Sequence, residues 1–108
     1  MTSSHPEDRI RLSIELALTA KDTQRQETQD AEARALGMSG GEIDAARRGR
    51  SFDAKTSIAM ALAIASASGS SELAAERAKA QKAGFSEDEC RLIEEVARKY
   101  TAQAAKHG

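Results

Sequence analysis

Cysteine, proline and aromatic residues are scarce in this chain of 108 residues. The chain has one cysteine, one proline and no tryptophan, and aromatic residues make up 3% of it. A lone Cys90 cannot form an intramolecular disulfide, which excludes a disulfide-stabilised fold. With so few aromatic side chains the core is left mainly to alanine, and each helix contact then buries little apolar area. Small domains with thin cores often gain stability by oligomerising.

Net charge and long apolar runs are also missing. The formal charge of −1, with 31% charged residues, gives no general attraction to nucleic acid or anionic lipid. No apolar run approaches the roughly 18 residues of a membrane span, and the N-terminus lacks the basic and then apolar pattern of a secretory signal. We therefore expect a cytoplasmic protein without a membrane partner, formed by a single domain over residues 1–108.

Two stretches, residues 36–43 and residues 83–90, carry nearly the same helix-stop-helix pattern. In each, an alanine-rich run stops at a glycine, and a Ser-x-x-Glu capping box opens the next helix. Upstream, residues 13–18 and residues 57–62 also resemble each other. The chain therefore consists of two related helical halves. Two copies are too few for a self-sufficient solenoid, which indicates one compact domain or burial of apolar surface between subunits.

Six helices account for the pattern, and no segment alternates as a strand does. The predicted helices run from about Pro6 to Lys21, from Asp22 as N-cap to Gly37, from Gly40 to Arg48, from the Asp53 cap to Gly69, from a Ser70 or Ser71 cap to Gly84, and from Glu87 into the C-terminal tail. The fourth is apolar on all sides over residues 58–65, so we expect other helices to surround it. Residues 23–30 hold no apolar side chain and should be exposed or line a polar site. The last helix carries one apolar stripe of Cys90, Ile93, Ala97, Tyr100 and Ala104.

The order of these pieces also resembles a known family. Residues 29–39, residues 42–43, residues 45–49 and the Asp-x-Lys-Thr pattern of residues 53–56 are similar to the carboxymuconolactone decarboxylase and alkylhydroperoxidase D-like superfamily. Residues 83–89, followed by a long final helix, resemble the closing part of the same domain. The resemblance covers nearly the whole chain. It implies an all-α, alkylhydroperoxidase D-like domain of about six helices that assembles with itself as a trimer or hexamer.

The resemblance also shows what this chain lacks. In the peroxidase branch of that superfamily the second helix carries Cys-x-x-Cys-x-x-x-His, whose spacing places a base and the thiol it activates on one helix face. Counted back from Gly37, these positions hold Asp22, Arg25 and Gln29. Glutamine is no general base near neutral pH, and neither aspartate nor arginine is a redox nucleophile. The decarboxylase-like branch also depends on a histidine here. We therefore expect no catalytic residue, no cofactor and no thiol peroxidase activity.

The polar residues at these positions can be interpreted in two ways. Asp22, Arg25 and Gln29 form a polar face that either lines a small-molecule pocket or is simply solvated. Glu15 either stands for the carboxylate that tunes the thiol in the family or is an ordinary exposed residue. We keep Glu15, Asp22, Arg25 and Gln29 as candidates for lining a pocket.

The remaining titratable candidates have simpler explanations. Cys90 begins an apolar stripe, and we expect a buried, inert side chain there. His5 and His107 lie in the terminal segments with no second ligand at metal spacing, so we expect no metal site.

A DNA-binding alternative rests on another pattern. Residues 35–39 with Ile43 and the basic run at residues 47–50 resemble a helix-turn-helix flanked by a phosphate-binding patch. Against it, Glu42 and Asp44 lie at the start of the would-be recognition helix, where they would repel phosphate. The sequence thus favours a non-catalytic oligomeric or small-molecule-binding module. An enzyme of the same superfamily using non-thiol residues and a helix-turn-helix protein are the two alternatives.

Overall fold

The computed structural model describes the backbone of residues 6–107 and the side chains of residues 8–100. The described residues form six helices and no strand: α1 (Pro6–Leu18), α2 (Thr23–Ala35), α3 (Gly40–Arg47), α4 (Ala54–Ser68), α5 (Leu73–Lys82) and α6 (Glu87–His107). The predicted all-α fold of about six helices is confirmed. Helix α1 ends at Leu18 rather than Lys21, and the hydroxyl of Thr19, the next residue, donates to the carbonyl of Glu15 at 2.7 Å. Helix α5 begins after Glu72 rather than after Ser70 or Ser71.

Both predicted capping boxes are present. The Ser39 hydroxyl accepts the Glu42 N–H at 3.1 Å, and the Glu42 carboxylate accepts the Ser39 N–H at 2.9 Å. The same two hydrogen bonds join Ser86 and Glu89, at 3.0 and 2.7 Å. In each box the backbone N–H of the serine is the largest cause that lowers the pKa of the glutamate. The start of α3 and the start of α6 are therefore fixed by local hydrogen bonds.

The helices pack in an order that repeats between the two halves of the chain. Helix α1 packs against α3, and α4 packs against α6, so the first helix of each half contacts the third helix of the same half. Helices α1 and α4 also pack against each other, and α4 contacts α5 as well. Among the described elements, the backbone of α2 packs only against α1 and α3. Helix α4 is thus central and α2 is peripheral.

Alanine fills the crossing points of the core. The fully buried residues of α4 and α6 include Ala59, Ala63 and Ala97 beside the larger Met60, Leu62 and Cys90. Helix α4 is not enclosed on every side as expected, because Ile64 is 38% exposed. A Cβ atom on Gly49 would lie 3.3 Å from Ile64 Cδ1, so the loop after α3 touches this edge of α4 without covering it.

An ion pair ties α5 to α6. Arg77 Nε and Nη2 lie 2.8 and 2.7 Å from the two carboxylate oxygens of Glu94, whose side chain is 8% exposed. Two parallel N–H···O bonds of this kind form the strongest arginine–carboxylate geometry. Cys90 lies one turn before Glu94 and is fully buried. Burial, with the Glu94 charge as a second cause, raises the pKa of the Cys90 thiol. The expected burial of Cys90 is confirmed, and its thiol is a poor nucleophile near neutral pH.

Gly84→Ala should destabilise the protein, whereas Gly40→Ala should not. Gly84 has a φ of 107° with open space around it, so alanine there meets backbone strain alone, which costs about 1–2 kcal/mol. Gly40 opens α3 and an added Cβ would meet nothing closer than 3.6 Å. Alanine at Gly40 should leave stability unchanged or raise it, since it restricts the unfolded chain. Urea unfolding followed by circular dichroism, at one protein concentration, measures both. Equal midpoints would contradict this account of Gly84.

Candidate functional site

The four candidate residues come together where α1 ends and α2 begins. One lies in the last turn of α1, one caps α2, and two lie in the first turns of α2. Two further side chains, from the α1–α2 connection and from α6, complete the group. We call this set the polar cluster: Glu15, Thr19, Asp22, Arg25, Gln29 and Tyr100.

A hydrogen bond between Tyr100 and Glu15 links α6 to α1. The Tyr100 hydroxyl donates to Glu15 Oε1 at 2.7 Å. The guanidinium carbon of Arg25 lies 5.9 Å from the centre of the Tyr100 ring, within the range of a cation–π contact. Burial, followed by the hydrogen bond to Glu15, raises the pKa of Tyr100 far above its usual range. The phenol is therefore a hydrogen-bond donor here and not a base. Glu15 is half-buried and bonded, rather than an ordinary exposed residue.

Asp22 and Arg25 pair with each other. Asp22 Oδ1 accepts the N–H of Gln24 at 3.2 Å, which makes Asp22 the predicted N-cap of α2. Asp22 Oδ2 lies 3.0 Å from Arg25 Nε, one helical turn further on. The two positions at which the resemblance would place thiols are thus occupied by a cap and an ion pair. Both serve the start of α2.

Gln29 is buried, which differs from the expectation of a solvated face. It is 4% exposed, and its Nε2 donates to Thr19 Oγ1 at 2.8 Å. Ala33, one turn later, is also buried, so these two residues form the inner face of α2 toward the rest of the fold. The Gln29 Oε1 atom is buried without a hydrogen-bond partner among the described residues. An amide carbonyl in that state is an acceptor available to a ligand or a water molecule.

The polar cluster contains no thiol and no imidazole, and its carboxylates and hydroxyls are engaged within the cluster by hydrogen bonds and an ion pair. Tyr100 holds its proton, arginine stays a cation at all working pH values, and Gln29 is a neutral amide. Cys90 is the single thiol of the chain, and the charges that act on it come from Glu94, Arg77, Glu89 and Glu87, none of which belongs to the cluster. The geometry therefore fits binding or structural support better than covalent chemistry.

Two arginines of the basic run contact the protein itself. Arg47 Nη2 lies 2.7 Å from Asp30 Oδ1 and donates to the carbonyl of Gln26 at 3.2 Å, so Arg47 joins α3 to α2. Arg48 lies 3.3 Å from Asp44 on its own helix. These pairs leave less cationic charge for phosphate than the sequence alone indicates.

A second feature of the surface was not predicted from the sequence. A groove of about 490 Å³ lies between α1 and α6. Its apolar lining consists of Ile10, Ile14, Phe85, Leu92, Ile93 and Val96, with Asp8, Arg11 and Glu89 as the charged members. Leu92 is 60% exposed. The sequence signal for this groove was that Leu92 and Val96 are four residues apart, as on one face of a helix, and lie outside the predicted stripe of α6. We call it the α1–α6 groove.

Metal ligation and membrane insertion find no support in the part of the chain that the structure describes. No group of three or more histidine, cysteine, aspartate or glutamate side chains there could hold a metal ion. No helix among the described residues has the length and apolar character needed to cross a membrane. His5 and the side chains of Ala104 and His107 lie outside the described residues.

The single tyrosine makes the Glu15–Tyr100 bond directly measurable. The chain has no tryptophan and one tyrosine, so the ultraviolet absorbance of tyrosinate reports Tyr100 alone. In the folded protein we expect ionisation well above the ordinary pKa of about 10, and in urea near that value. Because the fold raises this pKa, the free energy of unfolding should fall as pH rises above about 10, and Tyr100→Phe should remove that fall. Ionisation at the ordinary pKa in a protein that still shows helical circular dichroism would contradict the buried phenol.

Comparisons of this chain with protein-family models, with curated proteins and with solved structures find no match. The resemblance described above therefore stands on the helix pattern and on the stretches at residues 29–39, 42–43, 45–49, 53–56 and 83–89.

Proposed function

We propose that this chain is an alkylhydroperoxidase D-like domain without thiol chemistry, which works as a non-catalytic module that assembles with itself. The proposal rests on the three residues that stand at the positions of the superfamily motif. Asp22 and Arg25 pair with each other, and Gln29 binds Thr19. All three residues hold the junction between α1 and α2, and none can supply a thiolate or an imidazole base.

The arrangement of helices supports the family part of the proposal. Helix α2, which would carry the motif, begins directly after α1 and lies at the edge of the fold, where its backbone packs against α1 and α3. The two glycine stops and the two capping boxes recur in the order that the resemblance implies.

The same residues weigh against the alternative of a non-thiol enzyme. Such an enzyme would need a nucleophile and a base that face each other. The Glu15 carboxylate already accepts a hydrogen bond from the Tyr100 hydroxyl, and Asp22 is engaged by Arg25 and by the start of α2. A small molecule could still be bound at the Gln29 carbonyl, which would make the cluster a ligand site without chemistry.

Exposed apolar side chains support self-association. Leu92 is 60% exposed, and Ile64, which is 38% exposed, lies at the open edge of α4. Side chains of this size on a domain with an alanine-rich core are candidates for burial between subunits. The superfamily resemblance favours a trimer or a hexamer.

Self-association is tested by mass. Light scattering at micromolar concentration should give a mass well above the 11.5 kDa of one chain, because apolar side chains that the monomer exposes would be covered in the assembly. A clean monomer at these concentrations would remove the self-assembling part of the proposal and leave the loss of thiol chemistry to be judged separately.

The loss of thiol chemistry is tested by activity and by restoring the motif. The wild type and Cys90→Ala should reduce organic hydroperoxides no faster than the dithiol donor does alone, since peroxide attack requires an accessible thiolate.

In the Cys90→Ala background, Asp22→Cys, Arg25→Cys and Gln29→His together should form an internal disulfide on oxidation, because the first two positions already lie in contact. Mass spectrometry detects this disulfide. Wild-type turnover that Cys90→Ala abolishes would overturn the proposal, and two thiols that fail to pair in a folded variant would overturn the assignment of the motif positions.

A further inference from the structure

Helix α6 carries a second stripe of side chains beside the one that enters the core. Glu89, Leu92, Val96 and Lys99 follow one another at alternating spacings of three and four residues, which places them on one face of a helix. Leu92 and Lys99 are exposed, and Glu89 and Val96 are half-buried. This face therefore combines an apolar centre with a carboxylate at one end and an ammonium group at the other.

The stripe forms one wall of the α1–α6 groove. Ile10 and Ile14 of α1 form the opposite wall, and Ile93 lies beside Leu92. The groove is open enough to leave Leu92 60% exposed. An apolar groove along a helix with one protruding leucine is the form that accepts an amphipathic helix.

We propose that the α1–α6 groove receives α6 of a second copy of this chain, antiparallel to the first, about a twofold axis. The stripe is complementary to itself in that arrangement. Leu92 and Val96 are equally distant from residue 94 along the helix, and so are Glu89 and Lys99. A twofold axis at residue 94 therefore places Leu92 against Val96 of the partner subunit and Glu89 against Lys99 of the partner subunit, each pair occurring twice.

The charges of α6 select the antiparallel direction. The first turn of α6 is acidic, with Glu87, Asp88 and Glu89, whereas Arg98 and Lys99 lie on exposed positions further along. Antiparallel helices bring the acidic turn opposite the basic turn, and parallel helices would bring like charges together. About an axis at residue 94, the two α6 helices overlap over residues 87–101, a length of about 22 Å, and the α1 wall of each groove adds to the contact.

Leu92→Glu is the direct test, with Phe52→Glu as its matched control. Both residues are exposed apolar side chains, at 60% and 77%, so neither change should unfold the monomer, and circular dichroism checks this. This inference rests on the proposed self-association. We expect Leu92→Glu to halve the mass measured by light scattering at micromolar concentration and Phe52→Glu to leave it unchanged. An assembly whose mass Leu92→Glu does not change would overturn the groove as the interface while self-association stands, and a monomeric wild type would overturn both.

Lys99→Glu tests the pairing of charges and does not depend on the leucine. In the proposed dimer it replaces two opposite-charge contacts with two like-charge contacts, which should weaken dimerisation about tenfold. Lys82→Glu, at an exposed position in the last turn of α5, changes the net charge equally and should leave the dissociation constant within about twofold. Sedimentation equilibrium measures both. A Lys99→Glu protein that dimerises as tightly as Lys82→Glu would overturn the antiparallel register.

Discussion

Alanine at the helix crossings is the constraint on which the rest of this structure depends. Ala59, Ala63 and Ala97 are fully buried where α4 packs in the core, and their small side chains allow α1, α4 and α6 to approach closely. The same small side chains bury little area at each crossing. Among the described residues, the large apolar side chains that this core leaves exposed are Phe52, Ile64 and Leu92.

Two polar contacts fix the position of α6 where apolar packing is thin. Arg77 holds Glu94 from α5, and Glu15 of α1 accepts the hydroxyl of Tyr100. These groups are wholly or partly buried. Losing either bond would therefore leave a buried polar group without a hydrogen-bond partner and lower the free energy of unfolding. Glu94 and Leu92 are two residues apart and so point to nearly opposite faces of α6. Fixing Glu94 against α5 therefore also directs Leu92 toward solvent.

The helix ends that a glycine or a capping box sets could be predicted from the sequence, whereas the end of α1, the start of α5 and the burial of polar residues could not. Gly84 and the capping boxes are set by neighbours within a few residues, so the sequence contains the whole signal. Gln29 was expected on a solvated face or lining a pocket, and it is buried because α1 passes over that turn of α2. The local sequence around a polar residue such as Gln29 contains no signal of such a contact. The stripe that begins at Cys90 was predicted correctly over the described residues. Leu92 and Val96 show helical spacing as well, but only the fold decides that one stripe enters the core while the other borders an open groove.

In the proposed assembly, recognition depends on apolar surface because the groups of the polar cluster are bound within the chain. In the polar cluster, Asp22, Arg25, Tyr100 and Glu15 are linked to one another, so they contribute rigidity, and the buried Gln29 carbonyl has no partner among the described residues. Apolar area, at about 25 cal/mol for each Å² removed from water, is then the main source of binding free energy that the chain can offer. Association must also offset the loss of translational and rotational freedom. Because α6 presents Leu92 without rearrangement, binding adds little further loss of conformational freedom. The contacts that hold α6 in place therefore also favour the proposed interface.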